Sequence, residues 1–208
     1  MDIKDINING NLAYKPENQW NDNESRAEII DGKITLMSPR PRVNHIEIAQ
    51  NINFIFRAYL KDKAYRAYGH GLYLYLTEKD RFIPDGMIVC DRDKIKRDGV
   101  HGAPDLVIEI LSPGTAKRDR NEKYKAYERA GVREYWIVNP GDKSIEQYIL
   151  RDKNNYNLYF VSAYYPDWEL NEMDPEERAD SESIMSFPCG IFPDFIINTR
   201  EIFADLLF

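Results

Sequence analysis

The sequence predicts an α/β fold: a mixed β-sheet flanked by helices, with added β-hairpins. Three observations carry this reading. Residues 106–111, LVIEIL, are apolar on both faces save for one glutamate, as a central strand covered by two layers must be. Two helical segments, 44–60 with apolar residues at helical spacing and 119–130 closed by Gly131, lie on either side of that strand in the chain. The other apolar runs are short and bounded by Gly, Pro, Asn or Asp, which is strand-and-turn punctuation. The order β-β-α-β-β-β-α-β-β-β-α is no regular βαβ alternation. With one helix on each side of the central strands it reads as a mixed α/β sandwich.

The elements follow in order. Residues 1–25 are polar and Asn-rich and read as a lead-in. In 27–37, two apolar runs flank Asp31-Gly32, a pair suited to the positive φ angles of a tight hairpin turn. Residues 38–41, SPRP, break the hairpin. In the helix 44–60, Ile48, Ala49, Ile52, Ile55, Phe56 and Tyr59 share one face, and Asn44 is the expected N-cap. LYLYL at 72–76 and MIVC at 87–90 are strands, the second entered through Pro84-Asp85-Gly86. A charged loop leads to Pro104-Asp105, which opens the central strand, and Ser112-Pro113-Gly114 ends it. The helix 119–130 closes at Gly131, where a C′ glycine takes the left-handed conformation. Strands follow at 134–138, 145–150 and 156–161, the last two paired around a turn at 152–155. An acidic excursion or insertion, 166–182, contains Pro166 and Pro175, and a short helix at 199–207 ends the chain.

Composition narrows the class. With 208 residues, 43% hydrophobic and 30% charged, the chain is neither disordered nor fibrous, and one domain spanning 1–208 is expected. No apolar run approaches the ~18 residues of a membrane helix, so no membrane partner is expected. The start, MDIKDINING, is no secretory signal. Cys90 and Cys189 are too few for a disulfide framework or zinc ribbon, and a reducing, cytoplasmic setting follows. The net charge of −7 resides in 166–182, which holds eight acids and one base; the rest of the chain balances. One stretch, 112–129, carries six bases against three acids. It reads either as a solvated helix face or as a phosphate-contacting surface, because fields near a site are local.

The chemistry begins with Glu109. A carboxylate inside an apolar strand is costly unless it is paired, hydrogen-bonded or bound to a cation. Asp105 shares its strand face by alternation. Asp85 stands at the mouth of the preceding core strand, where strand adjacency could bring it to Glu109. Clustered carboxylates repel unless a cation neutralises them, and Mg²⁺ takes one or two carboxylates plus waters and substrate phosphate. The competing reading is strand-end acids capping loops plus one salt-bridged glutamate.

The spacing Pro84-Asp85, 23 residues, Glu109 resembles the core of the PD-(D/E)XK nuclease superfamily. The surrounding sequence is more specific. AEIIDGKITLMSPRPRVNH at 27–45, PDGMIVCD at 84–91 and PDLVIEILSPGTAKRDRNEKYKAYERAGVREYWIVNP at 104–140 resemble the Uma-type restriction endonuclease family, over about residues 25–160. The resemblance implies a restriction-endonuclease-like fold and a divalent-metal phosphodiesterase site with Asp85 and Glu109 as metal ligands, for Mg²⁺ or Mn²⁺. Leu111 stands where the superfamily usually has lysine. The family's recurring lysine falls further on and matches Lys123. Asp105 also falls in the pattern, with strand-end hydrogen bonding as its competing role. An ion pair with Asp119, one turn earlier, is the plain alternative for Lys123. His45 sits on the apolar face of the first helix, next to the family's recurring histidine position, and a core or capping histidine is the commoner case. Tyr127, Tyr135 and Trp136 agree with the family block, and core packing is their expected role.

These residues imply a Mg²⁺-dependent DNA endonuclease with Asp85, Glu109, Lys123 and Asp105 as catalytic candidates. Lys117, Arg118 and Arg120 are the candidates for contacting flanking phosphates. A double-strand break needs two sites, which a homodimer would supply. Two other readings stay open: a catalytically silent nuclease-fold module binding nucleic acid or a protein partner, and a hydrolase of a small phosphoester.

Overall fold

The computed structural model describes residues 27–36, 41–151 and 155–207. The lead-in 1–25, residues 38–40 of the expected break and 152–154 of the expected turn lie outside the described residues. Ala27–Ile30 (β1) and Lys33–Leu36 (β2) form the expected hairpin, with Asp31 and Gly32 at φ 49° and 76°. The helix Val43–Tyr59 (α1) buries Ile48, Ile52, Ile55 and Phe56. It starts one residue early, with Arg42 at the N-cap position, so Asn44 lies inside the first turn and does not cap it. Arg66–Gly69 (β3), Leu74–Tyr75 (β4), Arg81–Phe82 (β5), Gly86–Val89 (β6), Val100–His101 (β7) and Leu106–Ile110 (β8) follow. Of these, β3, β5 and β7 have too few residues to show an alternation, and only pairing defines them.

The second helix is not uniform. Ala116–Arg118 (α2) runs through a π-helical turn, Asp119–Lys123, into Tyr124–Ala130 (α3), which ends at Gly131 with φ 84°. Glu134–Asn139 (β9), Ser144–Arg151 (β10) and Asn155–Ala163 (β11) form a meander. The acidic stretch is ordered into two helices, Asp167–Leu170 (α4) and Pro175–Ser183 (α5). Asp174 caps α5 by accepting the backbone N–H groups of Glu176 and Glu177, the favoured chemistry for an N-cap before a first-turn proline. Ser186–Cys189 (β12) and Phe192–Asn198 (β13) form a hairpin, and Thr199–Phe203 (α6) is shorter than the 199–207 expected.

The main sheet has the order β11-β10-β9-β8-β6-β3, with β8 and β9 parallel and the other pairs antiparallel. A second sheet has the order β2-β1-β5-β4-β7. Alternation along β8 feeds two cores. Leu106, Ile108 and Ile110, with Trp136 of the neighbouring β9, pack with α1, α6 and the β12–β13 hairpin through residues such as Phe56, Phe187 and Phe203. Val107 and Leu111 pack with Ile30, Leu74 and Phe82 of the second sheet and Tyr127 of α3. Both faces of β8 are therefore covered, the reason LVIEIL carries no polar alternation.

The C-terminal hairpin is fastened by another buried acid. Glu134, on β9, accepts bonds from Trp136 Nε1 (2.6 Å), Gln147 Nε2 (2.6 Å) and the backbone N–H groups of Gly190 (3.1 Å) and Ile191 (2.8 Å). A Cβ on residue 190 would lie 2.6 Å from Ile149 Cδ1 and 3.0 Å from Glu134 Oε2, so an alanine there has to push aside the Ile149 methyl and the bonded Glu134 carboxylate. Replacing Glu134 with Ala strands several buried donors at about 1–3 kcal/mol each. Urea unfolding should show Glu134→Ala less stable by about 3 kcal/mol or more. Gly190→Ala should lose stability through the same contact.

Candidate active site

The β6–β8 register pairs Gly86 with Ile108 and Met87 with Val107. One step further along, the antiparallel pairing sets Asp85 opposite Glu109. The ladder stops there. The N–H of Ile110 has no strand partner and donates instead to Asp85 Oδ2 at 2.8 Å, since a buried amide must find an acceptor. Asp85 Oδ1 meets His45 Nε2 at 2.9 Å, from the first turn of α1, and His70 Nδ1 at 3.2 Å, just beyond β3. Burial pushes the Asp85 carboxyl up. The two histidine bonds and the Ile110 amide outweigh that and hold it well below the usual carboxylate range.

Glu109 is 3% exposed. Its Oε1 accepts bonds from Lys123 Nζ (3.0 Å) and the Tyr127 hydroxyl (2.7 Å). Burial drives this carboxyl well above its ordinary value. Lys123 opposes the shift, and the charges of Asp119, Asp85 and Glu28 add to it.

Lys123, 4% exposed, lies 2.9 Å from Glu28 Oε1, 3.0 Å from Glu109 Oε1 and 3.6 Å from Asp119 Oδ1. Burial works against its charge, but Glu109, Glu28 and Asp119 outweigh it and keep the ammonium protonated. The π turn explains how the helix delivers this set. Residues four apart drift ~40° around an α-helix of 3.6 residues per turn, and one wider turn offsets the drift. Asp119, Lys123 and Tyr127 all stay buried against the sheet. The Tyr135 hydroxyl pins the turn by donating to the Asp119 carbonyl at 3.0 Å. π turns recur at functional sites for this kind of reason.

The structure thus brings Asp85, Glu109 and Lys123 together. Asp105 is a correction. It lies four residues from Glu109 at the other end of β8, ~13 Å away at strand rise. There it accepts the Cys90 N–H at 2.8 Å and pairs with Arg133 at 3.2 Å; this is the strand-end role. Leu111 is core. Lys117 is exposed, Arg118 faces Glu28 at 3.8 Å, and Arg120 is tied to Glu146 at 2.6 Å. Tyr127 packs in the core as expected, yet its hydroxyl also serves Glu109. His45 is neither a core nor a capping residue but a partner of Asp85. Sequence reasoning missed Glu28 and His70. Glu28 had one signal, a carboxylate sharing a strand face with Ile30; His70 had none.

Among the described residues no three or more His, Cys, Asp or Glu side chains gather as a metal site. No helix there is long and apolar enough to cross a membrane.

Comparison with known proteins then decides the family. Residues 16–176 match Uma2, described as "Putative restriction endonuclease". The chain belongs to the Uma2 family. It is similar to two uncharacterized proteins of Synechocystis sp. It is 24% identical to sll1609 over 59% of this chain and 71% of that one. It is 25% identical to slr1290 over 70% and 77%. A crystal structure from Anabaena variabilis, described as a "putative nuclease belonging to DUF820", superposes with a TM-score of 0.62 at 20% identity, over 87% of this chain and 91% of that one. This likeness establishes a common fold, a mixed β-sheet flanked by helices. The Uma2 match extends past both ends of the 25–160 stretch in which the sequence alone carries the resemblance.

The depressed Asp85 carboxyl contributes stability above the unfolded-state value near pH 4, and that stability fades as pH falls toward the folded-state value. Asp85→Asn should therefore unfold more easily than wild type at pH 7, by about 1–3 kcal/mol. The gap should narrow as pH drops below 4. Thermal unfolding of both proteins across pH checks this.

Proposed function

We propose that this chain is a Mg²⁺-dependent endonuclease that hydrolyses DNA phosphodiester bonds. One observation carries the reading: the antiparallel register sets Asp85 opposite Glu109, and a helix supplies the lysine that Leu111 cannot. The descriptions "Putative restriction endonuclease" for the Uma2 family and "putative nuclease" for the Anabaena protein support a nucleic-acid substrate.

The residues fit a hard divalent cation. Glu28, Glu109 and Asp119 surround Lys123, the one buried lysine among the described residues, and Asp85 lies opposite Glu109; the neighbouring acids push the Glu109 carboxyl up, a repulsion that a bound cation would relieve. Glu109 Oε1 takes both the Lys123 and Tyr127 bonds, and Oε2 accepts none of the bonds formed among the described residues. Two carboxylate donors are what Mg²⁺ commonly takes when waters and a substrate phosphate complete its shell. Asp85 and Glu109 would hold the ion, and Mn²⁺ accepts the same donors. Bound there, it would lower the pKa of a bound water and offset charge on the scissile phosphate.

The chain's own residues do the rest. His45, His70 and the Ile110 amide orient Asp85 and keep it ionised. Tyr127 fixes Glu109. Lys123 is placed to hold the attacking water or to offset charge on the phosphorane, a preorganised cation in a dry site. Lys117, Arg118 and Arg120 line the helix approaching the site and would meet flanking phosphates. Arg120 must first release Glu146, so Lys117 is the strongest of the three. A homodimer would supply the second site for a double-strand break.

Plasmid nicking with Mg²⁺ or Mn²⁺ tests the proposal. Wild type should nick, Glu109→Gln should not, and Lys123→Ala should lose ~10²–10³ in rate, the value of one preorganised donor. Equal nicking by wild type and Glu109→Gln would overturn it. Lys117→Ala should leave the rate at saturating DNA intact and flatten the log–log salt dependence of binding by ~0.9 per contact.

A further inference from the structure

We propose that Glu28 is a positioning residue of this site, one that sets the place of Lys123 from the second sheet. The inference rests on the nuclease reading above for its kinetic consequence, but its geometric core does not.

Glu28 lies on β1 and is 2% exposed. A carboxylate so buried could be satisfied within its own sheet. It reaches across to the helix instead. Oε1 is 2.9 Å from Lys123 Nζ and accepts the Ile83 N–H at 3.2 Å, while Oε2 faces Arg118 Nη1 at 3.8 Å. Ile83 lies two residues before Asp85. One carboxylate therefore touches the helix that carries Lys123 and Arg118, and also the segment that carries Asp85.

The distances show what this does. Lys123 Nζ stands midway between Glu28 and Glu109, at 2.9 and 3.0 Å. Without Glu28 the ammonium is held by Glu109 and Asp119 alone and can swing toward them. With Glu28 it is held from both sides, so Lys123 keeps a fixed place. Displacements of about 1 Å in such groups cost up to ~10²-fold in rate. Glu28 touches neither ion nor substrate in this scheme; it acts through Lys123.

That route has a signature that mere fastening of two sheets lacks. Glu28→Gln keeps the side-chain shape and can still accept the Ile83 N–H. It should lower kcat by ~10–100-fold with KM for DNA little changed, the mark of an interaction lost in the transition state. In Lys123→Ala, adding Glu28→Gln should cost nothing further, because groups acting as a unit are not additive. Glu28→Asp should recover part of the rate and covers the case in which the glutamine variant folds poorly. Independently of catalysis, acetic anhydride labelling read by mass spectrometry should modify Lys123 several-fold faster in Glu28→Gln than in wild type. Additive rate losses, or unchanged Lys123 labelling, would overturn the proposal. If wild type nicks no DNA, the nuclease reading falls and the labelling alone judges Glu28.

Discussion

The organisation of this molecule turns on one buried ammonium. Lys123 Nζ lies within 3.6 Å of carboxylates from β1, β8 and its own helix. Three pieces of structure distant in sequence therefore meet at a point smaller than one side chain. Taking these charges out of water is expensive, and removing one partner of such a set costs about 3–5 kcal/mol because the remaining charge stays buried. The β1–β2 sheet, the central strand and the π turn are thus held in one relative placement. Apolar packing alone is tolerant of small shifts; this contact is not.

The same point separates the two strand carboxylates. Asp85 and Glu109 face each other across one rung of an antiparallel pair, yet their surroundings push them in opposite directions. Asp85 receives an amide and two histidine nitrogens, which favour its charge. Glu109 sits deeper, against aromatic rings and other acids, and burial disfavours its charge despite Lys123. Pairs of titratable groups driven apart in this way are where acid and base roles divide in hydrolytic sites. Glu134 shows the contrast. It is equally buried, but neutral donors surround it and it fastens a hairpin.

Much of this was legible in the chain. Glu109 announced itself as the one acid in an otherwise apolar strand, and Asp31-Gly32 announced its hairpin. The acidic run misled. With Pro166 and Pro175 in it, the stretch reads as an excursion or insertion, whereas both prolines sit where proline is tolerated, immediately before or at the start of a helix. Asn44 misled in the opposite way, since a good capping residue stood two positions past the N-cap, Arg42. The short strands β3, β5 and β7 were invisible because two to four residues hold no readable period.

The central strand and the two flanking helices could be read from the chain alone, because local periodicity and residue chemistry report burial directly; the family, and Asp85, Glu109 and Lys123 as candidates, came from the resemblance of the surrounding sequence. Which acids meet was settled by the fold. Asp105 and Asp85 each follow a proline and precede a core strand, and nothing local tells them apart. The antiparallel register places one opposite Glu109 and leaves the other at the far end of the strand. Glu28 and His70 enter the site only because a second sheet and a loop fold over it. Cross-strand pairing and layer packing are long-range facts. A spacing in the chain cannot encode them, because the direction of the neighbouring strand decides which end of it a residue occupies.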